Sequence, residues 1–294
     1  MPHSLQDLLQ KTNRILILDG PLGTELTRRG FNVDRTGWSA RALIENPELI
    51  LKIHQDYVAA GANLLTANTF RTHAVNLKGW NPSQNARELT SLAVDLARQA
   101  AGDSTLVCGS VAPLGDSYHP QTNYREDWLI EQHERMLQNL ISAGIDALLI
   151  ETQTTFQELK VLLHLSGKYS IQTMLSVVSF DGLHLLDGTP LSDVAELVSN
   201  SQIVALGCNC VPIEIVDNVL DSLNNSLLPK IVYANSGVLK PDGTWVQSLG
   251  GNVETHTAIA KNWIRQGVRI LGGCCGTSVP LIAKFAEEFG SNLE

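Results

Sequence analysis

Eight short apolar runs recur along the 294-residue chain, separated by stretches whose apolar residues repeat at helical spacing. Three of the runs share one grammar. GANLLTANTF (61–70), GIDALLIETQ (144–153) and GVRILGGCCG (267–276) each open with a glycine, pass through aliphatic residues and end in polar or thiol side chains. The glycine suits the left-handed position just beyond a helix C-terminus. An unbroken apolar run of this length suits a strand covered on both faces, as in a parallel sheet. ILILD from Ile15, TLVCGS from Thr105, QTMLSVVSF from Gln172, IVALGCNC from Ile203 and KIVYANSG from Lys230 complete the set. Strands then start near 15, 62, 105, 147, 172, 203, 230 and 269, with helical stretches such as REDWLIEQHERMLQNLISAG and HTAIAKNWIRQG between them. The helix before the second strand carries its own start signal: Asn46 as N-cap, Pro47 at the first helical position, Glu48 in the first turn, and Leu49, Ile50, Ile53 and Tyr57 on one face. Eight alternating strands and helices in a chain of this length predict an α/β protein, a single (β/α)8 TIM barrel occupying 1–294 as one domain. A doubly wound open sheet competes, but the first strand-to-helix turn, DGPLGT, lacks the GxGxxG of that class.

The strands of such a barrel all point their C-terminal ends at one mouth, where active sites are built. Asp19, Asn68, Ser110, Glu151, Cys208 with Cys210, Asn235, and Cys274 with Cys275 therefore meet there despite their separation in sequence. The rest of the composition narrows the partners. A formal net charge of -9 with no run of lysine or arginine argues against nucleic acid or an anionic membrane surface. The opening MPHSLQDLLQKTNR has no apolar signal core, and no stretch reaches the roughly 20 apolar residues of a membrane span. The expectation is a cytoplasmic protein, a monomer or weak homo-oligomer, acting on small molecules.

Five cysteines, Cys108, Cys208, Cys210, Cys274 and Cys275, are an odd number in a chain large enough to need no staples. In a reducing compartment they are buried packing residues, metal ligands or catalytic groups. Cys108, alone on an apolar strand, suits packing. The ends of the sixth and eighth strands instead bring thiols from distant segments to one place, and an all-sulfur set selects Zn2+ over magnesium, calcium or manganese. Three protein ligands with a fourth position open define a catalytic zinc site. Cys208 and Cys210 lie on the same side of a strand, so periodicity does not choose between them. Cys274 and Cys275 are neighbours, and both reach one ion only if the chain turns out of the strand, which Gly272, Gly273 and Gly276 permit. A vicinal disulfide between the two is the alternative use of the pair. Three thiolates on Zn2+ sum to -1, a poor setting for making hydroxide but a good one for keeping a fourth thiolate nucleophilic. Alkyl transfer from a cationic donor to a substrate thiol follows from that charge.

The sequence resembles the homocysteine S-methyltransferase family along nearly its whole length. The matching stretches are LDGPLGTEL, GWSARALIENPELILKIHQDYVAAGANLLTANTF, GSVAP, IET, SFDGLHLLDGTPL, GCNC, YANSG and GGCCG, in that order. The resemblance implies a (β/α)8 barrel with catalytic zinc on Cys210, Cys274 and Cys275, since the family's G-x-N-C pattern falls on Gly207, Asn209 and Cys210. It implies L-homocysteine as acceptor, with Glu151 and Asp19 near its ammonium, backbone N–H groups around Gly20 and Gly23 near its carboxylate, and Asn68 in the substrate site. The Trp38-Ser39-Ala40 segment resembles members that use S-methylmethionine or S-adenosylmethionine, and Trp38 would stack on a sulfonium. NTFRTH, where many of those members carry Ser-Tyr-Gln, is closer to the betaine and methionine-synthase branches. Betaine as donor, selenocysteine as acceptor, a zinc hydrolase and a non-catalytic zinc or redox sensor are the rival readings.

Overall fold

Eight strands, β1 (Leu16–Ile17), β2 (Leu64–Thr66), β3 (Leu106–Val111), β4 (Ala147–Gln153), β5 (Thr173–Val177), β6 (Ile203–Pro212), β7 (Lys230–Asn235) and β8 (Val268–Gly273), pair in parallel in a computed structural model of the chain. The model describes residues 4–11, 14–80, 82–199, 201–239 and 245–290. The sheet runs in the order β1-β8-β7-β6-β5-β4-β3-β2. A parallel bridge between Leu18 and Leu64 joins its two ends, helped by Asp19 N–H donating to the Leu64 carbonyl at 3.0 Å. The product is the expected (β/α)8 barrel.

Burial explains why the strands read as unbroken apolar runs. Every residue of β3, β4, β5 and β7 is buried, because the barrel interior covers one face and the helices the other. The start signal at Asn46 is realised: its side chain accepts from Leu49 N–H at 3.2 Å and opens helix Pro47–Ala59. That helix buries Ile50, Ile53 and Tyr57 as the spacing predicts, and His54 with them, while Leu49 is only half-buried. Gly61, Gly144 and Gly267 take φ of +95°, +82° and +95° just beyond their helices, so each ends its helix and starts the next strand.

Three features around the mouth fall outside the predicted pattern. A seven-residue helix, Leu22–Arg28, fills the first strand-to-helix turn. The segment holding Trp38 is a 3-10 turn, Trp38–Arg41, running into helix Ala42–Glu45. A two-stranded ribbon, Gly237–Leu239 with Trp245–Gln247, follows β7 at the mouth. Each is shorter than the stretch over which apolar spacing is read, about 11 residues for a helix and about 4 for a strand. Among the described residues no helix is long and apolar enough to cross a membrane.

Candidate active site

The Sγ atoms of Cys210, Cys274 and Cys275 all lie within 4.8 Å of one another at the C-terminal mouth of the barrel. Cys210 and Cys274, 64 positions apart in sequence, approach to a Cα–Cα distance of 5.6 Å and are paired as a disulfide, with Cys275 free. The adjacent Cys274–Cys275 pair is not joined, so the vicinal alternative is not the one realised. Cys208 and Cys108 lie apart from the cluster, fully buried, and burial pushes the Cys208 thiol up to about 12 and the Cys108 thiol higher still.

The route from sequence to this cluster lies in the backbone. Cys210 has φ +53°, and the register of β6 against β7 shifts between Asn209 and Pro212. Left-handed geometry is uncommon for a residue with a Cβ and persists where surroundings impose it. Here Asn209 supplies the constraint. Its Oδ1 accepts from Thr152 N–H at 2.9 Å and Ser176 Oγ at 2.7 Å, while its Nδ2 donates to Thr152 Oγ1 at 2.8 Å. Thr152 is itself left-handed, at φ +58°. One buried amide therefore sets both the turn presenting Cys210 and the turn presenting Glu151. On the other side, Cys274 N–H donates to Ala234 C=O at 3.0 Å and Ser236 N–H to Cys275 C=O at 3.0 Å. The glycines act separately: a Cβ at Gly272 would stand 2.9 Å from the Asp19 carbonyl, whereas Gly276 takes φ +79°. Close approach is the demand at Gly272 and chain reversal the demand at Gly276.

A cavity of about 700 Å3 opens over the thiols, lined also by Asp19, Gly20, Glu151, Asn68 and Trp38. The cavity thus brings these residues together with Ser110 and Gly23, whereas Cys208 and Asn235, placed at the mouth by the strand pattern, are not part of its lining. Glu151 accepts from Ser110 Oγ and, at 3.2 Å, from Tyr233 Oη. Asp19 accepts from Thr66 N–H at 2.8 Å and Thr66 Oγ1 at 2.9 Å. Burial raises the Glu151 carboxyl to about 7 against the opposing bonds of Ser110 and Tyr233. Burial raises Asp19 to about 8, the Glu151 charge adding to it and the Thr66 bonds opposing. Two neighbouring buried carboxyls in this condition favour a cation between them. Asn68 has another employment: its Oδ1 accepts from Ser39 Oγ at 2.8 Å and its Nδ2 donates to Ser39 C=O at 2.9 Å, anchoring the Trp38 turn to the end of β2. Trp38 meets Phe70 edge-on, with ring centroids 5.8 Å apart, and its ring fills the space a Cβ on Gly23 would need. Among the described residues, neither Gly20 N–H nor Gly23 N–H has a hydrogen-bond partner. Tyr233 and Thr66 were missed in the sequence, and Asn209 was named only as part of the G-x-N-C pattern, because a lone polar residue in an apolar strand carries no signal of what it bonds.

The thiol cluster fits a metal ion. Zinc–sulfur bonds of about 2.3 Å put tetrahedral sulfurs about 3.8 Å apart, inside the span seen here. Burial, with the Glu151 charge adding to it and a backbone hydrogen bond opposing, pushes the Cys275 thiol up to about 11, so a thiolate cluster at this spot needs a cation beside it.

A barrel whose mouth gathers three thiols at metal-binding range beside two buried carboxyls defines a metal-site α/β enzyme of thiol chemistry. The family model for homocysteine S-methyltransferase matches residues 16–289, and the chain belongs to that family. It is 33% identical to homocysteine S-methyltransferase YbgG of Bacillus subtilis, covering 97% of both chains. It is 35% identical to homocysteine S-methyltransferase of Escherichia coli, covering 96% of this chain and 97% of that one. Two solved structures of the homocysteine methyltransferase MmuM from Escherichia coli superimpose on it. The oxidized form does so with a TM-score of 0.85 at 32% identity, over 96% of this chain and 98% of that one. The metallated form gives 0.83 at 33% identity, over 95% and 97%.

Proposed function

We propose that the protein transfers a methyl group from a sulfonium donor to the thiol of L-homocysteine, giving methionine, with Zn2+ held by Cys210, Cys274 and Cys275. The observation that carries this reading is the trio of sulfurs within 4.8 Å at the floor of a cavity that also holds Glu151 and Asp19. S-methylmethionine is the first donor to try, with S-adenosylmethionine less favoured because its adenosyl group needs extra room. The whole chain, 1–294, acts as one barrel domain in the cytoplasm, as a monomer or weak homo-oligomer.

When bound, zinc supplies a Lewis acid that favours the ionised form of a fourth thiol beside three thiolates. Glu151 and Asp19 take the homocysteine ammonium, and the cation lets both carboxyls ionise despite their burial. Tyr233, Ser110 and Thr66 hold those carboxylates in place. The free N–H groups of Gly20 and Gly23 face the acceptor's carboxylate. The thiol proton leaves to solvent. Trp38 and Phe70 hold the sulfonium, whose S–CH3 bond breaks as the new S–CH3 bond forms. The bonding pair stays with the departing sulfur, which becomes a neutral thioether. Both ionic reactants lose charge in this step, so the aromatic wall that excludes water raises the rate.

The test is a rate comparison of S-methylmethionine, S-adenosylmethionine and betaine at saturating homocysteine, without folate or cobalamin. S-methylmethionine should be fastest, and Trp38→Ala should weaken the sulfonium donor more than homocysteine. Betaine as the clear best would refute the sulfonium donor. Glu151→Gln should keep the metal and weaken homocysteine by about 1.5–3 kcal/mol, the worth of a charged hydrogen bond. Calorimetric titration of homocysteine into the metal-loaded variant checks it, and unchanged affinity would return Glu151 to a structural role.

A further inference from the structure

Arg71 is a cation facing the cavity without an anion of its own. It follows Phe70 just beyond the end of β2, lines the same cavity as the thiols, and is half-buried. One hydrogen bond accounts for a single guanidinium nitrogen: Nη1 donates to the Gly115 carbonyl at 2.6 Å. The guanidinium also lies over the Phe70 ring, 5.1 Å from its centroid. Among the described residues no carboxylate lies within the 4.0 Å of an ion pair with it. Burial pulls its pKa down, and Asp116 and Tyr118 oppose that only at a distance. A guanidinium carries five N–H donors in a fork suited to a carboxylate, so one bond to a carbonyl leaves most of that capacity unused.

Asp116 stands on the facing loop and lines the same cavity. Its Oδ1 is committed, accepting from Tyr118 N–H at 2.8 Å and His119 N–H at 3.2 Å. Its Oδ2 is shared only with the exposed His119 ring, at 3.3 Å. Arg71 and Asp116 thus form an opposite-charge pair held apart, rather than a salt bridge, on one wall of a cavity. Phe70 and Trp38 run from Arg71 toward Gly23, and Tyr118 lines the same cavity. The charged pair, the aromatic rings and the thiols therefore share one cavity.

We propose that Arg71 and Asp116 form an amino-acid clamp for the methyl donor, Arg71 taking its α-carboxylate and Asp116 its α-ammonium. The inference rests on the reading that the donor is a sulfonium amino acid. It separates the two substrates: homocysteine is held by Glu151 and Asp19 at the strand ends, the donor by residues of the loops above. It also gives NTFRTH a meaning, since the arginine in that stretch is the specificity residue.

Three dimethylsulfonium compounds test it: S-methylmethionine, with both charged groups; dimethylsulfoniopropionate, with the carboxylate alone; and dimethyl(propyl)sulfonium, with neither. The clamp predicts that Arg71→Met lowers the ratio of kcat/KM for either carboxylate-bearing donor to that for dimethyl(propyl)sulfonium by roughly 10- to 100-fold, the size of a charged hydrogen bond. Arg71→Lys should restore part of it, because the charge returns without the fork. Asp116→Asn should lower the ratio of S-methylmethionine to dimethylsulfoniopropionate by about 10-fold. An equal loss with all three donors, or a loss appearing as a raised homocysteine KM, would overturn the clamp. Calorimetric titration of S-methylmethionine into reduced, metal-loaded protein separates this idea from the proposed reaction. Binding that Arg71→Met weakens, without turnover, sustains the clamp and sinks the methyl transfer. Wild-type protein that fails to bind S-methylmethionine, or Arg71→Met that binds it equally well, sinks the clamp.

Discussion

Replacing any one of Cys210, Cys274 and Cys275 with serine is expected to remove tight metal binding and to lower methyl transfer by about a thousandfold or more. Reduced wild-type protein should hold about one metal ion per chain. The three Sγ atoms share one site, so no remaining pair completes the set. A serine hydroxyl is a poor substitute for thiolate, being almost fully protonated at neutral pH and harder as a donor. Cys108→Ser and Cys208→Ser, which alter thiols buried away from the cluster, should retain the metal. Disulfide pairing of Cys210 with Cys274 removes two ligands at once, so metal uptake should require a thiol reductant. Metal analysis after gel filtration, with and without reductant, decides both points. Full retention in Cys274→Ser and Cys275→Ser would rule out the site.

Gly207→Ala should be the most destabilising single methyl group that can be added to the barrel staves near the site. A Cβ there would stand 1.7 Å from the Ile231 carbonyl oxygen and 2.7 Å from its carbon. Both are backbone atoms of the neighbouring strand, paired with Gly207 in the register of β6 and β7. No rotamer relieves that contact, so the strands must part where Asn209 and Cys210 are presented. The expected cost is above about 4 kcal/mol, in the range reserved for a named structural failure, or a failure to accumulate soluble protein. Gly167→Ala is the matched control: its Cβ would meet nothing within 4 Å in helix Phe156–Tyr169, and the change should stabilise by about 0.5–1 kcal/mol. Urea unfolding of the two variants beside wild type makes the comparison. Equal midpoints would show that the strands yield there.

Much of this architecture was legible before any coordinates. Apolar runs fully covered on both faces, the C′ glycines and the Asn46 cap are local features, and each appears where its physics placed it. A soft ligand set at the ends of two strands was legible because such thiols have few other uses, while the choice of Cys210 over Cys208 came from the family's G-x-N-C pattern. The short elements at the mouth were not, since a four-residue 3-10 turn or a three-residue ribbon strand spans too few residues for a repeat to stand out. The roles of Asn209 and Asn68 were hidden for a different reason. A buried amide is defined by its partners, and those partners, Thr152, Ser176 and Ser39, come from other segments. Sequence placed Asn68 at the mouth but not its bond to the Trp38 turn.

The bond between Asn68 and Ser39 has a bearing on how such enzymes diverge after gene duplication. Both polar atoms of the Asn68 amide are satisfied by one residue of the turn that carries Trp38. Replacing Asn68 strands the Ser39 hydroxyl and carbonyl, and replacing Ser39 strands the Asn68 Oδ1, whereas exchanging them together leaves the barrel staves untouched. On the proposed roles, the turn and its anchor form a donor-side unit that can change by itself, whereas Asp19 and Glu151 line the same cavity as the three thiols. Paralogues built on this plan would change methyl donors more readily than they change acceptors.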